Sequence, residues 1–144
     1  MAENKNFIFT VGRRKESVAR LRLYTSMPSD LKVENSKKGE IYVNGKKAND
    51  YFRGLVAMPL IEAPLKSTNS LDKYFISVRL VGGGQMGQLD ALVHALSRAL
   101  SLADDKNRGI LKKMGLLTRD ARVRERRKVG MGGKARRKKQ SPKR

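Results

Sequence analysis

Between residues 118 and 144 thirteen side chains are Arg or Lys and two, Asp120 and Glu125, are acids, a surplus of eleven positive charges out of a net +20 for the whole chain. The chemistry open to such a stretch is phosphate recognition. Eight of the thirteen are arginines: Arg119, Arg122, Arg124, Arg126, Arg127, Arg136, Arg137 and Arg144. Their planar, multi-donor guanidinium groups suit phosphate oxygens, whereas a tail kept only for solubility would do as well with acids. Val123, Val129 and Met131 are its only sizeable apolar residues and it has no aromatic. It therefore cannot bury enough surface to offset the entropy of ordering its backbone, and it lacks platforms on which bases could stack. Contact with the sugar-phosphate backbone, positioning without reading sequence, is what remains. Gly130, Gly132 and Gly133 break any long helix, and 27 residues can span up to about 90 Å at ~3.3 Å each. A solvated helix or a disordered solubilising tail is the competing reading of such a charge run.

A second place that could hold a phosphate is the glycine cluster at residues 82–87, GGGQMG, which fits G-x-G-x-x-G and is followed at about 20 residues by Asp104 and Asp105. A dinucleotide site would need that acid at the end of a second parallel strand, and a leucine-striped helix runs up to it instead. The spacing also suits a P-loop, but Gln88-Leu89 stands where Lys-Ser/Thr should hold phosphate and magnesium. Two readings stay open for these glycines: backbone N–H groups at a helix N-terminus approaching an RNA phosphate, or a tight strand-to-helix turn.

Catalytic chemistry has little to draw on. There is no cysteine and a single histidine, His94, so thiolate zinc sites, multi-histidine metal sites and a Cys nucleophile are excluded and a Ser-His-Asp relay has one candidate member. His94 lies off the apolar stripe of its helix, beside Asp90 and Arg98, and reads as a polar surface residue. No catalytic residue, metal or cofactor is expected.

The elements that must position these groups follow from periodicity. FIFTVG at 7–12 reads as a strand, GRRKE at 12–16 as a basic hairpin turn, and SVARLRLY at 17–24 as a half-buried strand with Arg20 and Arg22 directed away from its leucine face. EIYVNGK at 40–46 is a strand ending in an Asn44-Gly45 turn, and 49–53 a short helix capped by Asn49. Residues 55–65, interrupted by Pro59 and Pro64, support no more than a short turn or helix. KYFISVRLVG at 73–82 is the strongest strand. Leu89, Leu92, Val93, Leu96, Leu100 and Ala103 form a helical apolar stripe. A last helix at 104–114 has acids first and lysines last, and ends at Gly115. The expectation is one small α+β domain over residues 1–117 and an extended basic tail over 118–144.

A net charge of +20 in 144 residues, with a sequence pI near 10.8, exceeds what solubility asks of a small domain and calls for a polyanion. RNA, DNA and an anionic membrane surface all qualify on charge alone. No run of about 18 apolar residues is present to span a bilayer, and the N-terminus lacks the pattern of a signal peptide.

Four stretches, taken in order, carry a resemblance: GRRKESVARLRLY at 12–24, IYVNGK at 41–46, GGGQMGQLDAL at 82–92 and GLLTRDARVRERRKVG at 115–130. Together they resemble the bacterial form of small-subunit ribosomal protein nine, over nearly the whole chain. The resemblance implies an α+β domain like the second domain of ribosomal protein five, a cytoplasmic location in the head of the small ribosomal subunit, and no enzymatic activity. Its implied partners are small-subunit rRNA, peptidyl-site tRNA and neighbouring head proteins, with no membrane. It assigns rRNA contact to Arg13, Arg14, Lys15, Arg119, Arg122, Arg124, Arg126, Arg127, Lys128, Lys134, Arg136 and Arg137, and tRNA contact to Lys143 and Arg144. The chain departs from the family ending Gln-Phe-Ser-Lys-Arg: here Gln140-Ser141-Pro142-Lys143-Arg144 has a proline and no aromatic. An arginine common in the glycine-loop helix is replaced by Val93. On the residues alone, a histone-like or RNA-chaperone module with the same tail, and an enzyme using the glycine loop, are the alternatives.

Overall fold

A computed structural model describes residues 7–26, 38–54 and 56–129. It shows a five-stranded sheet with helices packed on one face. In chain order the elements are β1 (Phe7–Arg14), β2 (Ser17–Tyr24), β3 (Ile41–Val43), β4 (Lys46–Lys47), α1 (Ala48–Tyr51), α2 (Ala57–Ser67), β5 (Phe75–Val81), α3 (Gln85–Ala103) and α4 (Asp105–Lys113). The strand order is β1-β2-β5-β3-β4, antiparallel except for the parallel pair of β3 and β5. This mixed sheet with its helices is the α+β class expected.

Period-2 alternation explains which face is covered. Ala19, Leu21 and Leu23 of β2, Ile76, Val78 and Leu80 of β5, and Ile41 and Val43 of β3 all turn into the core. There they meet Leu89, Leu92, Leu96 and Leu100 of α3, every one essentially inaccessible to solvent. The apolar stripe read from the sequence is thus the face α3 buries, with Val93 and Ala103 at its half-buried margin.

β1 approaches α3 more closely than side chains would permit. Gly12 faces the helix backbone, and a methyl group built there would collide with the Ala91 carbonyl oxygen and lie 2.7 Å from the Ala95 nitrogen. Thr10 adds a buried hydroxyl that donates to the Ala95 carbonyl at 2.8 Å, and Arg98 donates to the Val11 carbonyl at 2.6 Å.

Several boundaries differ from the sequence reading. β1 extends to Arg14, so the hairpin turn is only Lys15-Glu16, with Lys15 at φ 51°, and Arg13 and Arg14 are strand residues. The first short helix begins at Ala48 with Lys47 in the cap position, not at Asn49. The largest correction is α2, an uninterrupted 11-residue helix through both prolines. Pro59 falls in its first turn, where no intrahelical N–H is required. Pro64 does forfeit a bond, at a cost of about 3 kcal/mol, but Ala57, Ile61, Pro64 and Leu65 recur at helical spacing and are buried. Burial of Ile61 and Leu65, roughly 1.5 to 3 kcal/mol each, outweighs the lost bond.

Replacing Gly12 by valine should destabilise the domain by about 3 kcal/mol, the usual scale of overpacking, because the nearest atoms are helix backbone and cannot swing aside. Urea unfolding followed by circular dichroism reads this as a lower midpoint at unchanged slope.

Candidate nucleic-acid interface

The close approach of β1 to α3 brings three elements to one edge of the domain: the β1–β2 hairpin, the glycine loop before α3, and residues 118–129. A cleft of about 900 Å³ lies between them, lined by the hairpin end from Arg14 to Ser17, which includes the acid Glu16, by the glycine loop with Met86, and by the chain from Arg122 to Arg124.

The loop is held by its own geometry. Gly82 and Gly83 sit at φ 74° and 63°, and a side chain on Gly83 would collide with the Ser17 hydroxyl. Ser17 Oγ donates to the Gly82 carbonyl at 3.2 Å and Gln88 Nε2 donates to the same oxygen at 3.0 Å. The amide oxygen of Gln88 in turn accepts from the Tyr51 hydroxyl at 2.9 Å. Gln88, standing where a P-loop lysine would reach a nucleotide, is therefore turned back onto the loop. Asp104 is likewise occupied: it caps α4, accepting from the Lys106 N–H at 3.0 Å. It also lies at the far end of the 19-residue α3, roughly 28 Å from the glycines at ~1.5 Å per residue. Neither nucleotide motif has its parts in place.

What the loop does supply is the N-terminus of α3. Gly84 is its N-cap and offers no side-chain cap, so the first-turn N–H groups and the positive end of the helix dipole meet the cleft.

Arg14 has a task of its own. Its side chain is 14% exposed and bridges Asp90 of α3 at 3.4 Å and Asp120 at 3.0 Å, while Nη1 donates to the Arg122 carbonyl at 3.3 Å. Asp120 also takes a fork from Arg122, at 2.6 Å and 3.0 Å, and accepts the Arg122 N–H at 2.9 Å. These bonds to Arg122, with the charge of Arg14 behind them, hold the Asp120 carboxyl far below the usual carboxylate range. Asp120 is thus a clamp: it seats the start of residues 118–129, which form no helix or strand, against the hairpin and α3. The clamp engages Arg14 and Arg122, two of the expected RNA ligands, and Lys128 pairs with Glu125 at 3.3 Å. Arg13, Lys15, Arg119, Arg124, Arg126 and Arg127 carry no ion pair among the described residues. Lys134, Arg136, Arg137, Lys143 and Arg144 lie outside the described residues.

His94 departs from its expected place on the surface. The ring is half-buried beneath the chain at Leu117, with Nδ1 inaccessible and unpartnered. Burial is the main cause of a pKa below the ordinary 6.5. A hydrogen bond to the Leu117 backbone opposes that shift, and Arg98 and Arg119 add to it. The ring is a packing element under the segment that the clamp holds. Asp90, Asp120, Gln88 and Tyr51 were not singled out as site residues. Two acids in a strongly basic stretch are the signal that could have drawn attention to Asp120; nothing in the sequence ties Tyr51 to Gln88.

The family model described as "Ribosomal protein S9/S16" matches residues 12–144. The chain belongs to this family. It is 45% identical over 130 residues to the small ribosomal subunit protein uS9 of Maridesulfovibrio salexigens, covering 90% of this chain and 92% of the relative. The small ribosomal subunit protein uS9 of Lawsonia intracellularis is 41% identical over 125 residues, covering 87% of this chain and 88% of the relative. Family membership makes this a structural ribosomal protein and not an enzyme, in agreement with Gln88 and Asp104 being engaged elsewhere.

Two outcomes test the clamp. Asp120→Asn should raise hydrogen exchange of the Arg122 amide and its neighbours while β5 and α3 amides keep their protection. Because the folded pKa of Asp120 is depressed, the clamp should persist as pH falls to its ordinary 3.8 and be lost only below that. The single histidine gives an unambiguous second readout. Its ring resonance should titrate with a midpoint below 6.5. The seating of residues 116–118 should weaken as pH drops below that value, since the released form takes up the proton first.

Proposed function

We propose that this ribosomal protein binds rRNA of the small-subunit head through the cleft and the basic chain leaving it, and that its C-terminal tip contacts peptidyl-site tRNA. The observation that carries the reading is the convergence, at one edge of the fold, of an uncapped helix N-terminus with Lys15 and Arg124, neither of which has an acidic partner. Helix N–H groups and arginine forks both favour a phosphate oxygen, and together they make a site for a polyanion backbone.

Asp120 gives that site its geometry. By fixing where the chain leaves the body, the clamp directs Arg124, Arg126, Arg127 and Lys128 away along one path, so the tail meets RNA from a defined origin. Residues 118–144 then act as the extended arm of a domain spanning residues 1–117, a fold that resembles the second domain of ribosomal protein five. Lys134, Arg136 and Arg137 continue the rRNA contact. The tRNA role rests on the family's terminal Lys-Arg, matched here by Lys143 and Arg144. The names of the relatives place them in the small subunit, where head proteins would be this chain's neighbours.

Replacing Lys15 and Arg124 by glutamine should lower the slope of log K against log salt for small-subunit rRNA by about 1.4 on single strands or 1.8 on duplex, two phosphates' worth. Removing Lys143 and Arg144 should leave incorporation into small subunits intact and weaken retention of peptidyl-site tRNA, measured by filter binding. Equal tRNA retention would refute the tip's role. Loss of the whole chain from subunits washed in high salt would favour a promiscuous nucleic-acid binder.

A further inference from the structure

The face of the sheet opposite the helices carries a second cluster of arginines, remote in kind from the cleft because it is built from strand register. In the β2–β5 pairing Arg20 stands directly opposite Arg79 and Arg22 opposite Ser77; in the β1–β2 pairing Phe9 stands opposite Arg22. Registered neighbours share a face, and Leu21, Leu23, Val78 and Leu80 between them point into the core. Arg20, Arg22, Arg79 and Phe9 therefore project together, into an open depression whose lining has no acid among the described residues.

Three features set this face apart from an ordinary solvated surface. Like charges directly opposite across strands, with Cβ atoms about 5 Å apart, cost stability, and no acid among the described residues pairs with Arg20 or Arg79. Phe9 is 52% exposed and Val81 53%, on strands whose other faces turn toward the helices. Arg22, exposed like the other two, has its guanidinium 5.2 Å from the Phe7 ring centroid, whereas Arg20 and Arg79 have no ring or acid partner among the described residues.

We propose that this open sheet face is a second RNA-binding surface. It takes a single-stranded segment of rRNA, with Arg20 and Arg79 on its phosphates and a base stacked on Phe9. The charge favours any polyanion; the exposed ring beside the arginine pair favours one with flat bases, since an acidic peptide has no use for it. The proposal rests on the reading of the chain as an rRNA-binding protein, but on different residues, so the two can fail separately.

The absence of cysteine from the chain allows one to be introduced at a chosen place. Iron-EDTA tethered at Ser77→Cys, in the full chain assembled into small subunits, should generate hydroxyl-radical cuts at a few discrete rRNA nucleotides; Lys15→Cys reports the cleft in parallel. Cuts from position 15 with none from 77 would overturn this proposal and leave the cleft reading standing. Cuts from 77 alone would do the reverse, and cuts from neither would overturn both. Scission of a neighbouring protein in place of rRNA from position 77 would show that an acidic protein segment covers the face, and would also overturn the proposal.

A binding measurement on purified small-subunit rRNA supplies the second arm. Arg20→Gln with Arg79→Gln should reduce the salt slope by about 1.4, and Phe9→Ser should weaken binding about tenfold through lost stacking. The same arginine pair of substitutions should leave the melting temperature of the free protein equal or higher, because it removes a like-charge opposition. An unchanged salt slope would refute the role of the arginines even if position 77 lies near RNA.

Discussion

The packing of the β1–β2 hairpin on α3 is the constraint from which the other features follow. It is made possible by small residues: Gly12 against the helix backbone at Ala91 and Ala95, with Ala19 beside them in the core. A helix seated this close carries its N-terminus to the hairpin end, so that Gly87 lies over Ser17 and Arg14. Ser17 and Gln88 can then share the Gly82 carbonyl, and Arg14 can reach Asp90. Had β1 stood off by the width of an ordinary side chain, the loop and the hairpin would not enclose a cleft, and Asp120 would lack one of its two anchoring cations.

Within that frame the few acids are what organise a strongly basic surface. Arg14 without Asp90 and Asp120 would be a cation confined near Arg122 with no compensation, and arginines crowded on flexible chain repel one another. One carboxylate accepting from the side chain and backbone of Arg122 while pairing with Arg14 converts that repulsion into a fixed exit for the chain. Arg122 is exposed and its pairing with Asp120 correspondingly screened, so the worth of that pair lies in direction more than in stability.

Much of this architecture was legible because it depends on local period. The leucine stripe of α3, the alternation of β2 and the β-branched run of β5 each declare one buried face. What escaped was set by the balance of packing against a local rule, or by residues far apart in sequence. Two prolines argue against α2, and only the burial of Ile61 and Leu65 shows why the helix survives them. Arg14 and Arg13 read alike as loop cations, yet strand extension turns them to opposite sides, one into a clamp and one into solvent. His94 was placed by its own helix as a surface residue, when the chain at Leu117 lies over it.

Arg79 illustrates the limit best. Alternation alone sends Arg20 and Arg22 to the outer face of β2, and nothing in the composition of β5 singles out its one arginine. Only the register that sets Arg20 opposite Arg79 makes a like-charge pair of them, and register is fixed by the core face, through Leu21 against Val78 and Leu23 against Ile76. A slip of one residue between them would turn one strand over and put its arginine on the core face, so the core that stabilises the sheet also determines the charge pattern on its other side. Packing and charge are in this sense one constraint: the residues that hold the helices in place are the reason two cations share a depression with no acid in its described lining.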